Sequence, residues 1–149
     1  MGLDMYLTRQ YFVKNYSWVD NTNHQWEVTV KWGGEVVDLG KIEGIITSVA
    51  VWRKANQIHK WFVDNVQEGI DDCRRAYVSC EKLIELRDLC QYVLTTGSKS
   101  LAMKLLPPYQ GCFFGTYEIN EDYWEDLKST IEQLSNISQE GDYYYESSW

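Results

Sequence analysis

The strongest constraint on the fold is an alternation of apolar and polar residues near the start of the chain. Leu3, Met5 and Leu7 are separated by Asp4 and Tyr6, which is the period of two expected of a strand with one buried face. The same period returns over residues 26–32. A chain with two such segments needs strand partners, so we predict a sheet rather than a bundle of helices.

A hairpin is predicted directly after the second alternating segment. Gly33 and Gly34 stand next to each other there, and two glycines accept the positive φ values of a two-residue hairpin turn. Residues 35–39 should therefore return as the partner strand. The stretch 15–25 contains mostly asparagine, serine, aspartate and threonine, and we expect a polar loop there.

The period changes to that of a helix over residues 49–66. At 100° per residue, one continuous arc holds six side chains of this stretch, namely Val51, Phe62, Ala55, Val66, His59 and Trp52. The pattern predicts one amphipathic helix with a histidine on its apolar side.

Further elements are predicted from local signals. Ser79 and Asn120 each precede a helical pattern and are residue types that cap helices, and Gly97 is expected to end the first of these helices. A short helix over 98–106 should close at Pro107, and the last helix should cover 121–134. Short strands are predicted over 76–79 and 112–117, and the aromatic stretch 142–149 is expected to form an edge strand.

Strands at both ends with helices between them predict an α+β fold. We expect one domain over residues 1–149, in which a mostly antiparallel sheet packs against about three helices. The sheet would combine the N-terminal strands, the central hairpin and the C-terminal strand. That edge strand would be a natural pairing surface for a homodimer.

The net charge of −8 is confined to one end of the chain. Residues 1–115 contain 13 acidic and 13 basic side chains, whereas residues 116–149 contain nine acids and the single base Lys128. With 44% hydrophobic residues and two prolines, the chain is unlike a disordered acidic tail. The acidity argues against binding of long nucleic acid, and it could form a directed electrostatic face.

Several classes of function lack their sequence signals. No run of about 18 apolar residues marks a membrane span, and the first residues lack the pattern of a secretion signal, so we expect a cytoplasmic protein away from membranes. The four cysteines form no C-x-x-C pair, so we expect reduced thiols and no metal. Phosphate-loop, dinucleotide, zinc-protease and serine-hydrolase motifs are missing, which favours a binding protein without a cofactor or a catalytic residue.

The densest polar stretch is residues 52–61. On the helical projection Arg53, Asn56 and Lys60 lie within about 60° of one another. Guanidinium and ammonium groups bind phosphate, and an asparagine amide can read an adenine edge, while a tryptophan could stack on a base. The candidate ligand-binding residues are Trp52, Arg53, Lys54, Asn56, His59, Lys60 and Trp61. The alternative is an ordinary solvated helix face.

His59 has two interpretations. A histidine on an apolar arc is often a core residue satisfied by one hydrogen-bond partner. It could instead be a donor to a ligand or a general base, although no nucleophile stands at a recognisable spacing.

The acidic end offers a different candidate surface. Glu121, Asp122, Glu125 and Asp126 begin the last predicted helix. Their carboxylates could imitate the phosphates of nucleic acid and occupy a basic protein surface. They could equally serve to solvate the helix and favour its N-terminal dipole.

Two segments carry a resemblance to a known family. Residues 1–7 (MGLDMYL) and 52–63 (WRKANQIHKWFV) resemble a family of short proteins from tailed phages and prophages that has no established reaction. The resemblance implies a phage accessory protein, located in the host cell cytoplasm, that acts against bacterial immunity. No catalytic residue is carried over from the family.

Three functions are compatible with this expectation. The first is a sponge that binds a nucleotide-derived immune signal without cleaving it. The second is a protein inhibitor whose acidic C-terminal face blocks a defence nuclease or effector. The third is a small enzyme that modifies such a signal, with His59 as general base. We prefer the sponge because the polar stretch is dense in groups that recognise phosphate and adenine.

Overall fold

The computed structural model describes residues 2–13 and 27–149. The polar loop expected over 15–25 lies outside these ranges, as does Trp26 of the second alternating segment. The strands are β1 (Asp4–Phe12), β2 (Lys31–Trp32), β3 (Glu35–Val36), β4 (Gly44–Arg53), β5 (Ala76–Val78) and β6 (Asp142–Ser148). The helices are α1 (Asn56–Asn65), α2 (Cys80–Thr96), α3 (Lys99–Leu105) and α4 (Glu121–Gln133).

Four of the strands form one antiparallel sheet in the order β4-β1-β6-β5. The helices cover one face of this sheet. Trp52 of β4 contacts Thr130 of α4, and the ring of Phe62 in α1 stacks on Tyr145 of β6 with centroids 3.9 Å apart. The predicted α+β class is confirmed.

The alternation at the start of the chain gives the buried face that it predicts. Leu3, Met5 and Leu7 have no exposed surface, whereas Tyr6 is exposed on the opposite face. The strand continues beyond the predicted segment as far as Phe12, past a register shift between Leu7 and Thr8 in its pairing with β4.

The predicted hairpin exists, but it is short and lies outside the main sheet. Gly33 and Gly34 take φ values of 60° and 90°, and β2 and β3 form a separate two-stranded sheet. Trp32 is 83% exposed, so the alternation in this segment buries no face. The prediction that the hairpin contributes to the main sheet is wrong.

The single helix predicted over 49–66 is also wrong. β4 runs to Arg53, and α1 begins only at Asn56. β-Branched residues such as Val49 and Val51 favour a strand, and pairing with β1 places Trp52 and Ala50 on its buried face. The helical projection therefore combined side chains of a strand and a helix.

The signals for α2, α3 and α4 are confirmed. The side chains of Ser79, Ser98 and Asn120 each accept a hydrogen bond from a backbone N–H of the first turn. Gly97 ends α2 with a φ of 63°. Within the described ranges no helix is both long enough and apolar enough to cross a membrane.

Two further strand predictions need correction. Residues 112–117 form a turn and an irregular segment rather than a strand, and this segment instead packs against α1. The C-terminal stretch is a strand, β6, but it lies between β1 and β5 rather than at an edge. Both of its edges are occupied, so the reason for expecting a dimer through this strand no longer holds.

Candidate functional site

The junction between β4 and α1 faces the first turns of α4 across a cleft of about 290 Å³. We call it the junction cleft. It is lined by Arg53, Lys54, Asn56, Gln57, Gly115, Thr116, Glu118, Asp122, Tyr123, Glu125 and Asp126.

Lys54 links the strand to the helix in an unusual backbone conformation. Its φ is 61°, a left-handed value that costs an ordinary residue about 1 kcal/mol or more. The backbone N–H of Lys54 donates to the carbonyl of Leu3 at 2.8 Å. Its stem passes close to Gly115, where an added Cβ would lie 3.1 Å from the Lys54 Cβ. Lys54 is exposed, and it is one of the residues that line the cleft.

The N-terminus of α1 adds positive character to the same wall. Of the four helices in the described part of the chain, α1 is the one without a side-chain cap, because Ala55 stands at the capping position. Its first turn also contains no acidic residue. The backbone N–H groups of Asn56 and Ile58 donate to the carbonyls of Lys54 and Ala55, at 2.8 and 3.1 Å. The start of α1 therefore favours an anion mainly through the positive end of its helix dipole.

Arg53 completes the cationic wall. Its side chain is 71% exposed, and its contact with Asp4 has an N–O distance of 3.6 Å. An exposed ion pair of this length stabilises little, so the guanidinium can turn to a ligand at low cost.

The opposite wall of the cleft is acidic. Asp122, Glu125 and Asp126 project from α4, and Glu118 comes from the preceding loop. Glu125 also forms an ion pair with Lys128. Three of the acids predicted as a partner-binding surface thus share a cleft with Arg53 and Lys54, while Glu121 is outside the cleft lining. In the part of the chain that the structure describes, no three carboxylate, imidazole or thiol groups are arranged to hold a metal ion.

Asp126 is the acid most strongly affected by its surroundings. The amide of Gln57 donates to its Oδ2 at 2.9 Å. The pKa of Asp126 is raised to about 6, chiefly by burial; the Gln57 hydrogen bond lowers it, and the negative charge of Asp122 raises it. This carboxylate can therefore change protonation near neutral pH.

Asn56 lines the cleft but has a structural task. Its Nδ2 donates to the carbonyls of Phe114 and Thr116, at 3.1 and 2.9 Å. Its Oδ1 accepts from the backbone N–H of Tyr109 at 3.0 Å. With both ends of the amide engaged, Asn56 fixes the 109–116 segment on α1 and is not free to read an adenine.

His59 lies in the core, away from the cleft. It has no exposed surface. Its Nδ1 lies 2.7 Å from the hydroxyl of Tyr145, and its Nε2 lies 3.0 Å from Oδ2 of Asp71. Burial lowers the pKa of His59, while the hydrogen bond and charge of Asp71 partly oppose this. This geometry matches the interpretation as a satisfied core histidine.

The other predicted ligand residues are also outside the cleft. Trp52 is buried and donates through Nε1 to Thr130 at 2.9 Å. Lys60 pairs with Asp64 at 2.8 Å and, together with the buried Trp61, borders a different hollow of about 210 Å³. Among the described residues, no tryptophan lines the junction cleft.

Sequence reasoning missed the cleft residues that belong neither to the predicted ligand-binding residues nor to the predicted acidic surface. Gln57 is a polar residue that sequence alone does not mark as buried, yet only 3% of its surface is exposed. Gly115 and Thr116 lie in a segment predicted as a strand, and Glu118 directly follows it. No local pattern indicates that they meet Arg53, because the contact joins distant parts of the chain.

The four cysteines are free thiols. Cys80 and Cys90 are buried, and burial raises the pKa of Cys90 to about 12. None of the four lines the junction cleft, so a cysteine nucleophile is not part of this site.

No match is found. Protein-family models, curated proteins and solved structures were compared with the chain, and none resembles it significantly. The resemblance to phage proteins therefore stays a prediction based on two motifs.

Proposed function

We propose that this protein binds a nucleotide-type anion in the junction cleft and holds it without cleaving it. In the phage context that the sequence suggests, the ligand is a nucleotide-derived immune signal. The protein then acts as a sponge that lowers the free concentration of the signal in the host cytoplasm.

The observation that carries this proposal is the cationic wall of the cleft. Arg53 and Lys54 stand beside the uncapped start of α1. A guanidinium and an ammonium are donors that proteins use for phosphate, and the positive end of the helix dipole favours an anion beside them. The strained Lys54 backbone brings these groups to one place, and such strain is often found at functional sites.

The position of His59 argues against an enzyme that uses it as the general base. A general base must come within about 3 Å of the proton that it removes, whereas His59 is sealed in the core between Tyr145 and Asp71. The aliphatic hydroxyl of the cleft belongs to Thr116, whose oxygen accepts a hydrogen bond from the backbone of Glu118.

Calorimetry tests the proposal directly. The protein is titrated with mononucleotides, cyclic oligonucleotides and cyclic ADP-ribose isomers, and at least one should bind with one site per chain. Arg53→Ala and Lys54→Ala should each weaken that binding by about tenfold or more, since each removes a charged hydrogen bond. Lys60→Ala is the matched control, because it removes a cation outside the cleft. Equal losses for all three variants, or no binding at all, would contradict the proposal.

The fate of the ligand separates a sponge from an enzyme. After incubation the protein is denatured, and the ligand is recovered and identified by mass spectrometry. Quantitative recovery of unaltered ligand is expected. A product that accumulates beyond one equivalent would show turnover and favour the enzyme.

The protein inhibitor remains the second candidate, because α4 presents exposed acids in its first turn. Glu121 discriminates between the two candidates, since it is exposed and does not line the cleft. If the acidic face binds a basic partner, Glu121→Lys should abolish a pull-down without affecting nucleotide binding. If the sponge is correct, the same variant should retain its biological activity.

A further inference from the structure

The junction cleft carries charges of both signs, and this limits what it can hold. Arg53 and Lys54 face four carboxylates, those of Glu118, Asp122, Glu125 and Asp126. A ligand with several adjacent phosphates would place negative charge against these carboxylates and be repelled. The favourable ligand has one compact anionic group and, at the other end, groups that donate hydrogen bonds.

Ionised carboxylates only accept hydrogen bonds, so the ligand must supply the donors on this side. Asp122 is exposed, and Asp126 has one oxygen engaged by Gln57, which leaves its other oxygen for a ligand. A ribose cis-diol offers two adjacent hydroxyl donors, and an acidic side chain is the group that commonly holds a ribose hydroxyl in nucleotide sites.

The cleft offers little to read a base. Its aromatic residue, Tyr123, is buried, and its hydroxyl donates to the carbonyl of Leu106 at 2.9 Å. Asn56 has its amide engaged by three backbone groups. The volume of about 290 Å³ lies at the lower end for small-molecule sites, so it suits one nucleotide unit rather than a whole cyclic oligonucleotide.

Resting on the proposed function, we infer that the junction cleft recognises a ribose phosphate unit and leaves the base unread. The phosphate lies at Arg53 and Lys54, beside the start of α1. The cis-diol lies at Asp122 and Asp126. A larger signal would insert one such unit and keep the rest of the molecule outside the cleft.

The experiment compares ligands that differ in one feature at a time. Ribose 5-phosphate should bind by calorimetry or by NMR shift mapping to the cleft residues. AMP should bind at least about tenfold more tightly than 2′-deoxy-AMP, since a hydrogen bond to a charged group is lost. AMP, GMP, CMP and UMP should bind within about threefold of one another, which corresponds to less than 0.7 kcal/mol.

Paired variants locate the diol. Asp122→Asn combined with Asp126→Asn should reduce the ratio between AMP and 2′-deoxy-AMP to about one, whatever happens to the absolute affinity. Glu121→Gln, which changes a neighbouring acid outside the cleft, should leave the ratio as it is. Circular dichroism and thermal unfolding show that each variant is folded before its ratio is used.

The ribose phosphate inference and the proposed nucleotide binding are overturned by different results. Equal binding of ribo and deoxy forms, a preference of more than about tenfold for one base, or a nucleotide that binds where ribose 5-phosphate does not would each overturn the ribose phosphate inference. If that nucleotide still depends on Arg53 and Lys54, the proposed function stands. If nothing binds in a manner that depends on these two cations, both are overturned.

Discussion

Gln57 and Asp126 connect the two walls of the junction cleft through one hydrogen bond of 2.9 Å. Gln57 belongs to α1 and Asp126 to α4, so this bond joins the helix with the uncapped start to the helix that supplies the acids. The cleft therefore has a fixed width on this side. It also has a partly buried carboxylate, which opposes folding when it is ionised.

Asp126→Asn should stabilise the protein at pH 7. The folded pKa of Asp126, about 6, lies above its ordinary value of 3.8, so the native state favours the protonated form. The ionised Asp126 carboxylate lowers the free energy of unfolding. This loss grows as pH rises from about 4 to 6 and persists at higher pH. Asparagine keeps an acceptor for Gln57 without the charge. We expect a gain of about 1–3 kcal/mol in the free energy of unfolding at pH 7, measured by urea denaturation.

The gain at pH 7 should shrink toward pH 4, where the wild-type carboxyl is protonated as well. Glu132→Gln provides the control, because it neutralises an exposed acid of the same helix and should change stability by less than about 0.5 kcal/mol. A loss of stability at pH 7 in Asp126→Asn would show that the charge is favourable.

His59 should make the fold sensitive to mild acid. Its pKa is lowered in the native state by burial, so protonation favours the unfolded chain. Its effect on stability is absent above its ordinary pKa of 6.5 and grows as pH falls below that value. His59→Asn should lose about 2–4 kcal/mol at pH 7, since it empties part of a buried site and leaves Tyr145 and Asp71 unpaired.

Thermal unfolding between pH 7.5 and 5 separates two effects of His59→Asn on stability. One is the loss of the side-chain contacts, and the other is the loss of the histidine titration. The free-energy difference between wild type and His59→Asn should narrow as pH falls, because only the wild type has a histidine at this position that binds a proton more readily in the unfolded chain. Measuring both in the Asp126→Asn background removes the opposing titration of Asp126. A difference that stays constant over this range would contradict a lowered histidine pKa.

Asn56→Asp should loosen the segment that closes the cleft from the loop side. The change keeps the size of the side chain but replaces the donor to Phe114 and Thr116 by an acceptor facing two carbonyls. We expect a loss of about 2–4 kcal/mol and faster amide exchange over residues 109–116. Asn65→Asp is the matched control, because Asn65 makes a single bond to Trp61 near the end of the same helix. Equal losses of stability in the two variants would mean that the Asn56 hydrogen bonds to the 109–116 segment contribute nothing specific.

Lys54→Gly and Lys54→Ala should differ in stability and agree in binding. Both remove the ammonium and should lose ligand affinity to the same extent. Only glycine relieves the strain of the left-handed φ of 61°. The free energy of unfolding should therefore be about 1 kcal/mol higher for the glycine variant than for the alanine variant. Thermal unfolding and calorimetry on the same samples check both. If the alanine variant is the more stable one, the backbone at this position carries no strain.

The sequence predicted those elements that local chemistry determines. Ser79 and Asn120 are residue types that cap helices, and each caps the helix that follows it. Gly97 accepts the φ value that ends a helix. The alternation around Met5 gave the buried face of β1. In each case the signal and the structure lie within a few residues of one another.

The remaining features depend on contacts between distant residues. A projection at 100° per residue could not show that the chain turns at Lys54, because Trp52 and Phe62 are both buried, one from a strand and one from a helix. Likewise, nothing near Asp126 indicates that Gln57 will be its partner. The cationic stretch and the acidic end were each recognised as candidates, but their meeting in one cleft requires the tertiary fold.

The central place of β6 has a consequence for how the chain acquires its structure. In the sheet Asp4 pairs with Ser148, so β1 gains both of its neighbours only after β6, which lies far along the chain, has been synthesised. Such distant pairing slows folding and leaves the edge of β1 open during synthesis. The helices can form before β6 is available, but the four-stranded sheet is complete only once β6 has paired with β1 and β5.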